Sequence, residues 1–235
     1  MKLTPEGARL ILVTISTCGA AAWLAAVWAY GRLAALRPGE SEEIDPGGLR
    51  RRVTSWSRLV TGAPEDVAEG LLRVLTAANS GSSSAPGTVS RGEDGAIVLQ
   101  GPSRLRFPLV PAFSRCEVRV AAAGAGSEVF FRADYSAIRR KARALALVLL
   151  ALGLLVMAGL VAFLWLKVLP SENPNVRPQV WQAVQMVHFL WPPWLVYALH
   201  RYARRGTEAY LDAAASNASV LAEAFAAKRR KAAAG

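Results

Sequence analysis

The chain has 235 residues, of which 53% are hydrophobic and 19% charged, with a formal net charge of +11. That balance is too apolar for an ordinary soluble domain, and the length exceeds what membrane helices alone need. A nucleic-acid footprint is excluded by charge placement. Pro38 to Ala137 holds eleven arginines against twelve acids, and the basic surplus lies beside the apolar runs instead.

Leu10 to Tyr30 carries no charge and is long enough to cross a hydrocarbon core of about 30 Å as a helix. Lys2 and Arg9 precede it, as in a signal peptide. The apolar stretch is too long for a cleaved core, and Trp23, Trp28 and Tyr30 suit an interfacial aromatic belt, so it reads as a retained anchor over residues 1–37. Next, "GESEEIDPGG" reads as a polar, turn-rich linker. A strand is expected over Arg52 to Val60 on the strength of Val53, Trp56 and Val60. The stretch "TGAPEDVAEGLLRVLTAANSG" has the clearest helix signals in the middle region. Pro64 suits the first turn, Glu65 and Asp66 complement the positive end, Asn79 to Gly81 supply a stop, and Val67, Leu71, Val74 and Leu75 form an apolar face that Gly70 weakens.

After "SGSSSAPG", strands are expected at Thr88 to Ser90, Ala96 to Gln100, Leu105 to Leu109, Glu117 to Ala123 and Glu128 to Arg132. "GAGS" joins the last two as a hairpin. Several strands after one helix make residues 38–137 a small α+β domain with an antiparallel sheet and a helix on one face. A strand, a helix opening "APEDVAEGLLRVL", an antiparallel run and a closing helix resemble the helix-grip, START-like ligand-binding architecture. The resemblance covers the middle region alone and rests on topology, with no diagnostic motif. It implies an apolar cavity and a lipid-like or other hydrophobic ligand. A closing helix that continues into the membrane departs from the soluble pattern.

Chemistry is sparse. The middle region contains no histidine, so neither Cys116 nor any serine there has a general base beside it, and Cys116 reads as a small core residue. The two cysteines and two histidines lack metal-ligand spacing, and no phosphate-loop or dinucleotide fingerprint is present. "GPSRLRF" reads as a solvated turn. No catalytic residue, metal site or cofactor is expected.

From Asp134 the chain turns helical and enters a second apolar run, Ala144 to Leu169. The short loop after it is stiffened by Pro170, Pro174 and Pro178. A third run, Val180 to Leu199, is the least apolar, and residues 138–205 read as a membrane hairpin. Gln182, Gln185 and His188 step by three and share one polar face, while Pro192 and Pro193 are expected to break the helix. As a haem ligand His188 lacks a second axial partner, because His200 stands about 18 Å further along the same helix. As a proton relay it lacks carboxylates. Hydrogen bonding to a neighbouring helix is the expected role.

Arg139, Arg140, Lys141, Arg143, Arg201, Arg204 and Arg205 flank the runs and are expected at lipid headgroups. The tail, residues 206–235, is alanine-rich with Tyr210, Ala214, Leu221 and Phe225 on one stripe, and it closes on "KRRK". It suits either packing on the middle domain or lying on the membrane, with a coiled coil, on weak heptad spacing that puts Asn217 at a core position, as the third choice. With three spans, Lys2, Arg9, Lys167 and Arg177 fall on one side and thirteen basic residues on the other, which puts the N-terminus outside and both larger aqueous parts in the cytoplasm. Alanine, arginine and glycine richness suggests a bacterial inner membrane. The expected function is that of a non-enzymatic binding or scaffold subunit. Its partners would be membrane lipid, a hydrophobic ligand, and a protein partner or homo-oligomer. The alternatives are a redox or proton-coupled component built around His188, or a transporter subunit.

Overall fold

The computed structural model describes residues 4–35, 40–44, 48, 50–80, 87–92, 94–101, 112–173 and 175–234. The chain is α+β and divides into two units. One holds Met1–Ala35 and Lys141–Ala198, and the other holds Leu36–Arg140 and Leu199–Gly235.

In the first unit, α1 (Pro5–Ala34) opens with Thr4, whose side chain accepts a hydrogen bond from Gly7 N–H at 3.1 Å, and with Pro5 in the first turn, where no amide is missed. The second helix, α3 (Ser136–Phe163), enters this unit at Lys141 and ends in a π-helical turn at Leu164–Val168. A 3₁₀ helix, Arg177–Met186, follows and leads into α4 (Val187–Ala234). At one end of the unit, Ala8 and Leu12 of α1 pack with Leu164, Val168, Val180 and Ala183. At the other, Tyr30 packs with Ala142, Ala146 and Val196. The three segments therefore run alongside one another in alternating directions.

Among the described residues two helices are long and apolar enough to cross a membrane, Pro5–Arg32 and Ser136–Val168. The third expected run does not join them. Its glutamines, histidine and prolines lower its hydropathy, and its opening stretch, to Met186, is 3₁₀ rather than α-helix. Pro192 and Pro193 do not break the helix as expected, since α4 runs without interruption from Val187 to Ala234. Their missing amides fall at the sixth and seventh positions of α4, just after the change from three to 3.6 residues per turn. The carbonyls they leave without an amide donor, four residues back, belong to His188 and Phe189 in the first turn of α4.

The second unit is a six-stranded antiparallel sheet in the order β1-β2-β6-β5-β4-β3. Its strands are β1 (Glu40–Ile44), β2 (Arg50–Val60), β3 (Val89–Arg91), β4 (Ile97–Gln100), β5 (Arg115–Ala123) and β6 (Gly126–Asp134). The strand expected at Leu105 to Leu109 lies outside the described residues. The β5–β6 hairpin turns on Gly124–Ala125, with Gly124 in the left-handed region at φ +56° that a two-residue turn requires.

The segment read as a linker contains β1. That strand has no apolar alternation. It is matched by charge, Glu42 lying opposite Arg52 and Glu43 opposite Arg51 across the β1–β2 ladder.

Two helices cover the same face of the sheet. Val67, Leu71 and Leu75 of α2 (Pro64–Ser80) are buried there as expected, against Val118, Val129 and Phe131. The tail portion of α4 packs in the same core through Ala203, Thr207, Leu211, Ala214, Ala215, Ala218 and Ala222. Of the stripe expected from the sequence, Ala214 lies in this core. Tyr210, Leu221 and Phe225 sit at its margins, half-buried, because α4 approaches α2 too closely for large residues. Gly70 explains the closeness, since a Cβ there would stand 2.7 Å from the Ala218 carbonyl oxygen. The glycine that weakens α2 in isolation is what allows the two helices to meet. Gly70→Val should cost about 1–3 kcal/mol through overpacking, measured by denaturant unfolding. An unchanged midpoint would mean that the helices are not in contact.

Candidate functional site

Three places carry polar groups in unusual settings. The first is the polar face of the third run. A 3₁₀ helix has three residues per turn, so residues three apart eclipse one another. Gln179, Gln182 and Gln185 form one row, His188 continues it into the first turn of α4, and all four are exposed. The next row, Val180 and Ala183, is fully buried against α1 and α3. The structure thus brings the expected polar residues together, adds Gln179 to them, and turns the row away from the helices of its own unit. Among the described residues no hydrogen bond joins the exposed His188 to a neighbouring helix, the role expected from the sequence.

The second place is a buried ion cluster at the β1 edge of the sheet. Glu40, with its side chain only 5% exposed, accepts from Arg139 at 3.1 Å through one carboxylate oxygen and from Arg204 through the other. Arg204 also donates to Glu208 at 2.9 Å and to the Thr54 hydroxyl at 3.1 Å, and its guanidinium lies 5.3 Å from the centre of the Tyr135 ring. Burial, reinforced by Glu208, holds the Tyr135 phenol well above its ordinary pKa. Arg139 and Arg204 were expected at headgroups. They are instead 8% and 9% exposed at the side chain, enclosed by protein. Taking two guanidinium groups out of water is costly unless an anion sits between them, and Glu40 is that anion. Of the other cations expected at headgroups, Arg140, Lys141, Arg201 and Arg205 are exposed, and Arg143 is half-buried with its guanidinium 6.0 Å from the Tyr30 ring.

Glu40 is not singled out by the sequence, because a glutamate in an acidic, turn-rich segment looks solvated. The available signal was the acidic run Glu40 to Glu43 at hairpin distance from Arg50 to Arg52.

The third place is the sheet face opposite the helices. Ser55, Ser57, Glu117, Arg119, Phe130 and Arg132 border a groove of about 410 Å³. Arg119 pairs with Asp94 at 2.7 Å, and Arg132 bridges Glu43 and Glu117. Leu59 is 72% and Phe130 42% exposed on this face.

Cys116 is fully buried among core residues, and desolvation pushes its thiol pKa up to about 12, far from the thiolate needed for reaction. Among the described residues no group of three or more His, Cys, Asp or Glu could hold a metal ion. No protein-family profile, curated protein or solved structure matches the chain.

Replacing Glu40 by glutamine should destabilise the second unit by about 3–5 kcal/mol, since it removes the buried carboxylate that Arg139 and Arg204 share. The exposed-pair control Glu42→Gln should cost under about 1 kcal/mol. Thermal unfolding of the purified chain reads both, and equal losses would contradict the buried-cluster account.

Proposed function

We propose that the chain is a non-enzymatic, three-pass inner-membrane protein that holds its α+β unit at the cytoplasmic surface as a docking platform for a protein partner. One observation carries this reading. Residues from β2 to β6 and the tail of α4 share a single core, so both must lie on the same side of any membrane. If α3 carries the chain across, residues 177–198 must bring it back. Their geometry suits the task. Ten residues of 3₁₀ helix rise about 20 Å and the twelve α-helical residues to Ala198 about 18 Å, together more than the roughly 30 Å of a hydrocarbon core. The 3₁₀ stretch adds reach that α-helix of the same length would lack. Exposed Arg140, Lys141, Arg201 and Arg205, with Lys228, Arg230 and Lys231, support a cytoplasmic position for the α+β unit and an external N-terminus.

The strand order supports the helix-grip resemblance, with β2 beside β6, a meander from β3 to β6, and a helix laid across the inner face. The closing helix is then α4 rather than the helix that directly follows β6, and the membrane hairpin is inserted before it. The inner face is occupied by Leu71, Leu75, Leu99, Phe113, Phe131 and Leu211, all fully buried, which favours a protein partner on the opposite face over a large enclosed ligand. Leu59 and Phe130, ringed by Arg119, Arg132 and Glu117, have the mixed apolar and charged character of such a surface.

A photo-crosslinking residue at Phe130 should give defined protein adducts in cells, and a fluorescent protein fused after Lys231 should mature. Adducts to lipid alone would overturn the docking reading. A dark fluorescent fusion, together with an active secreted phosphatase fused at the same position, would overturn the cytoplasmic one.

A further inference from the structure

We infer that the row Gln179, Gln182, Gln185 and His188 is the contact through which two copies of this chain associate inside the membrane. The inference rests on the three-pass threading proposed above.

Within that threading, the 3₁₀ helix places Gln182 roughly 10 Å and Gln185 roughly 16 Å beyond Arg177 at 2.0 Å per residue. Both then lie within the hydrocarbon layer, with His188 deeper still. A carboxamide or imidazole facing lipid forgoes all of its hydrogen bonds, at a cost that makes exposure to acyl chains untenable for a whole row. The row cannot turn inward, because Val180 and Ala183 on the adjacent row are already locked against α1 and α3. A further subunit must therefore cover it.

The chemistry of the row identifies that subunit. Each glutamine carries both a donor and an acceptor, and a neutral imidazole does too, so the row is complementary to itself. It carries no formal charge that would call for an oppositely charged partner. Copies inserted with the same threading are related by an axis along the membrane normal. About such an axis each residue meets its own counterpart: Gln182 faces Gln182 and Gln185 faces Gln185. Exposed Trp181 and Val184 flank the row and supply apolar packing around the polar seam. Eclipsed spacing matters, because at 3.6 residues per turn the three glutamines would drift around the helix and only part of the row would meet its copy.

The test uses the full chain in native membranes, with Cys18 and Cys116 replaced by alanine and single cysteines introduced. Under copper-phenanthroline oxidation, Gln182→Cys and Gln185→Cys should form disulfide-linked dimers several-fold more readily than Leu10→Cys or Leu155→Cys, which are exposed elsewhere on the same unit. Both should resist a membrane-impermeant maleimide. Dimer yields no higher than the controls, or crosslinks to another protein instead, would overturn the pairing. Ready labelling of Gln185→Cys by the impermeant reagent would overturn the threading, and with it the reason for pairing. Because cysteine could disturb the seam, a second arm leaves it without cysteines. Gln182→Leu combined with Gln185→Leu should weaken self-association about tenfold in detergent ultracentrifugation, the size expected from losing interhelical hydrogen bonds. Undiminished association of that variant would overturn the proposal.

Discussion

The second unit depends on a close approach of two helices over one sheet face. Gly70 of α2 faces the Ala218 carbonyl of α4, and the alanines around it let α4 lie low enough to bury Leu211 against the sheet. Side-chain bonds fix the register of this contact. Trp56 Nε1 donates to Asp212 at 3.1 Å, Thr61 donates to Glu223 at 2.9 Å, and Ala112 N–H donates to Thr207 at 2.7 Å. Arg229 pairs with Asp66, and the Arg73 guanidinium lies 4.8 Å from the Phe225 ring. Each of these joins the tail to a segment more than ninety positions away in sequence. A domain completed in this way cannot have its two halves on opposite sides of a bilayer. The proposed return of residues 177–198 follows from that packing rather than from their hydropathy.

Electrostatics divides one residue type between two roles. Arginines flank every apolar run, and hydropathy patterning treats them alike. The structure separates them by enclosure. Arg139 and Arg204 converge on Glu40, where a buried carboxylate between two guanidinium groups makes the geometry of each dependent on the others. In sequence, Glu40 follows the end of α1 by six residues, Arg139 stands two before Lys141, and Arg204 six after Ala198. All three points where the chain passes between units thus lie close in sequence to one cluster. The remaining exposed arginines and lysines keep the distribution that supports a cytoplasmic assignment.

Much of the fold was legible from local signals. Pro64, Glu65, Asp66 and the spacing of Val67, Leu71 and Leu75 specify α2, and β5 and β6 are announced by their hairpin glycine and alternating residues. What escaped was long-range in origin. β1 contains almost no apolar pattern, and its strand character comes from Arg50 to Arg52 across the ladder. Of the apolar stripe expected on α4, Ala214 is in the core, but alanine carries little hydropathy contrast, so Leu221 and Phe225 outweigh the smaller residues that the contact with Gly70 demands. In the third run, the step of three between Gln182, Gln185 and His188 was visible and marked a polar face at once. That the step matches a 3₁₀ repeat, so that the row is straight and faces outward, depends on the burial of Val180 and Ala183 against helices far away in sequence.

The central claim is that the middle segment and the tail form one domain on one side of the membrane, with the loop after α3 on the other. Single cysteines at Asp94, Ala227 and Glu172, in a background lacking Cys18 and Cys116, probe this directly in sealed vesicles with an impermeant thiol reagent. The account has Asp94→Cys and Ala227→Cys label from the same face and Glu172→Cys from the opposite one. Labelling of the first two from opposite faces would contradict it, because residues separated by a bilayer cannot share a core.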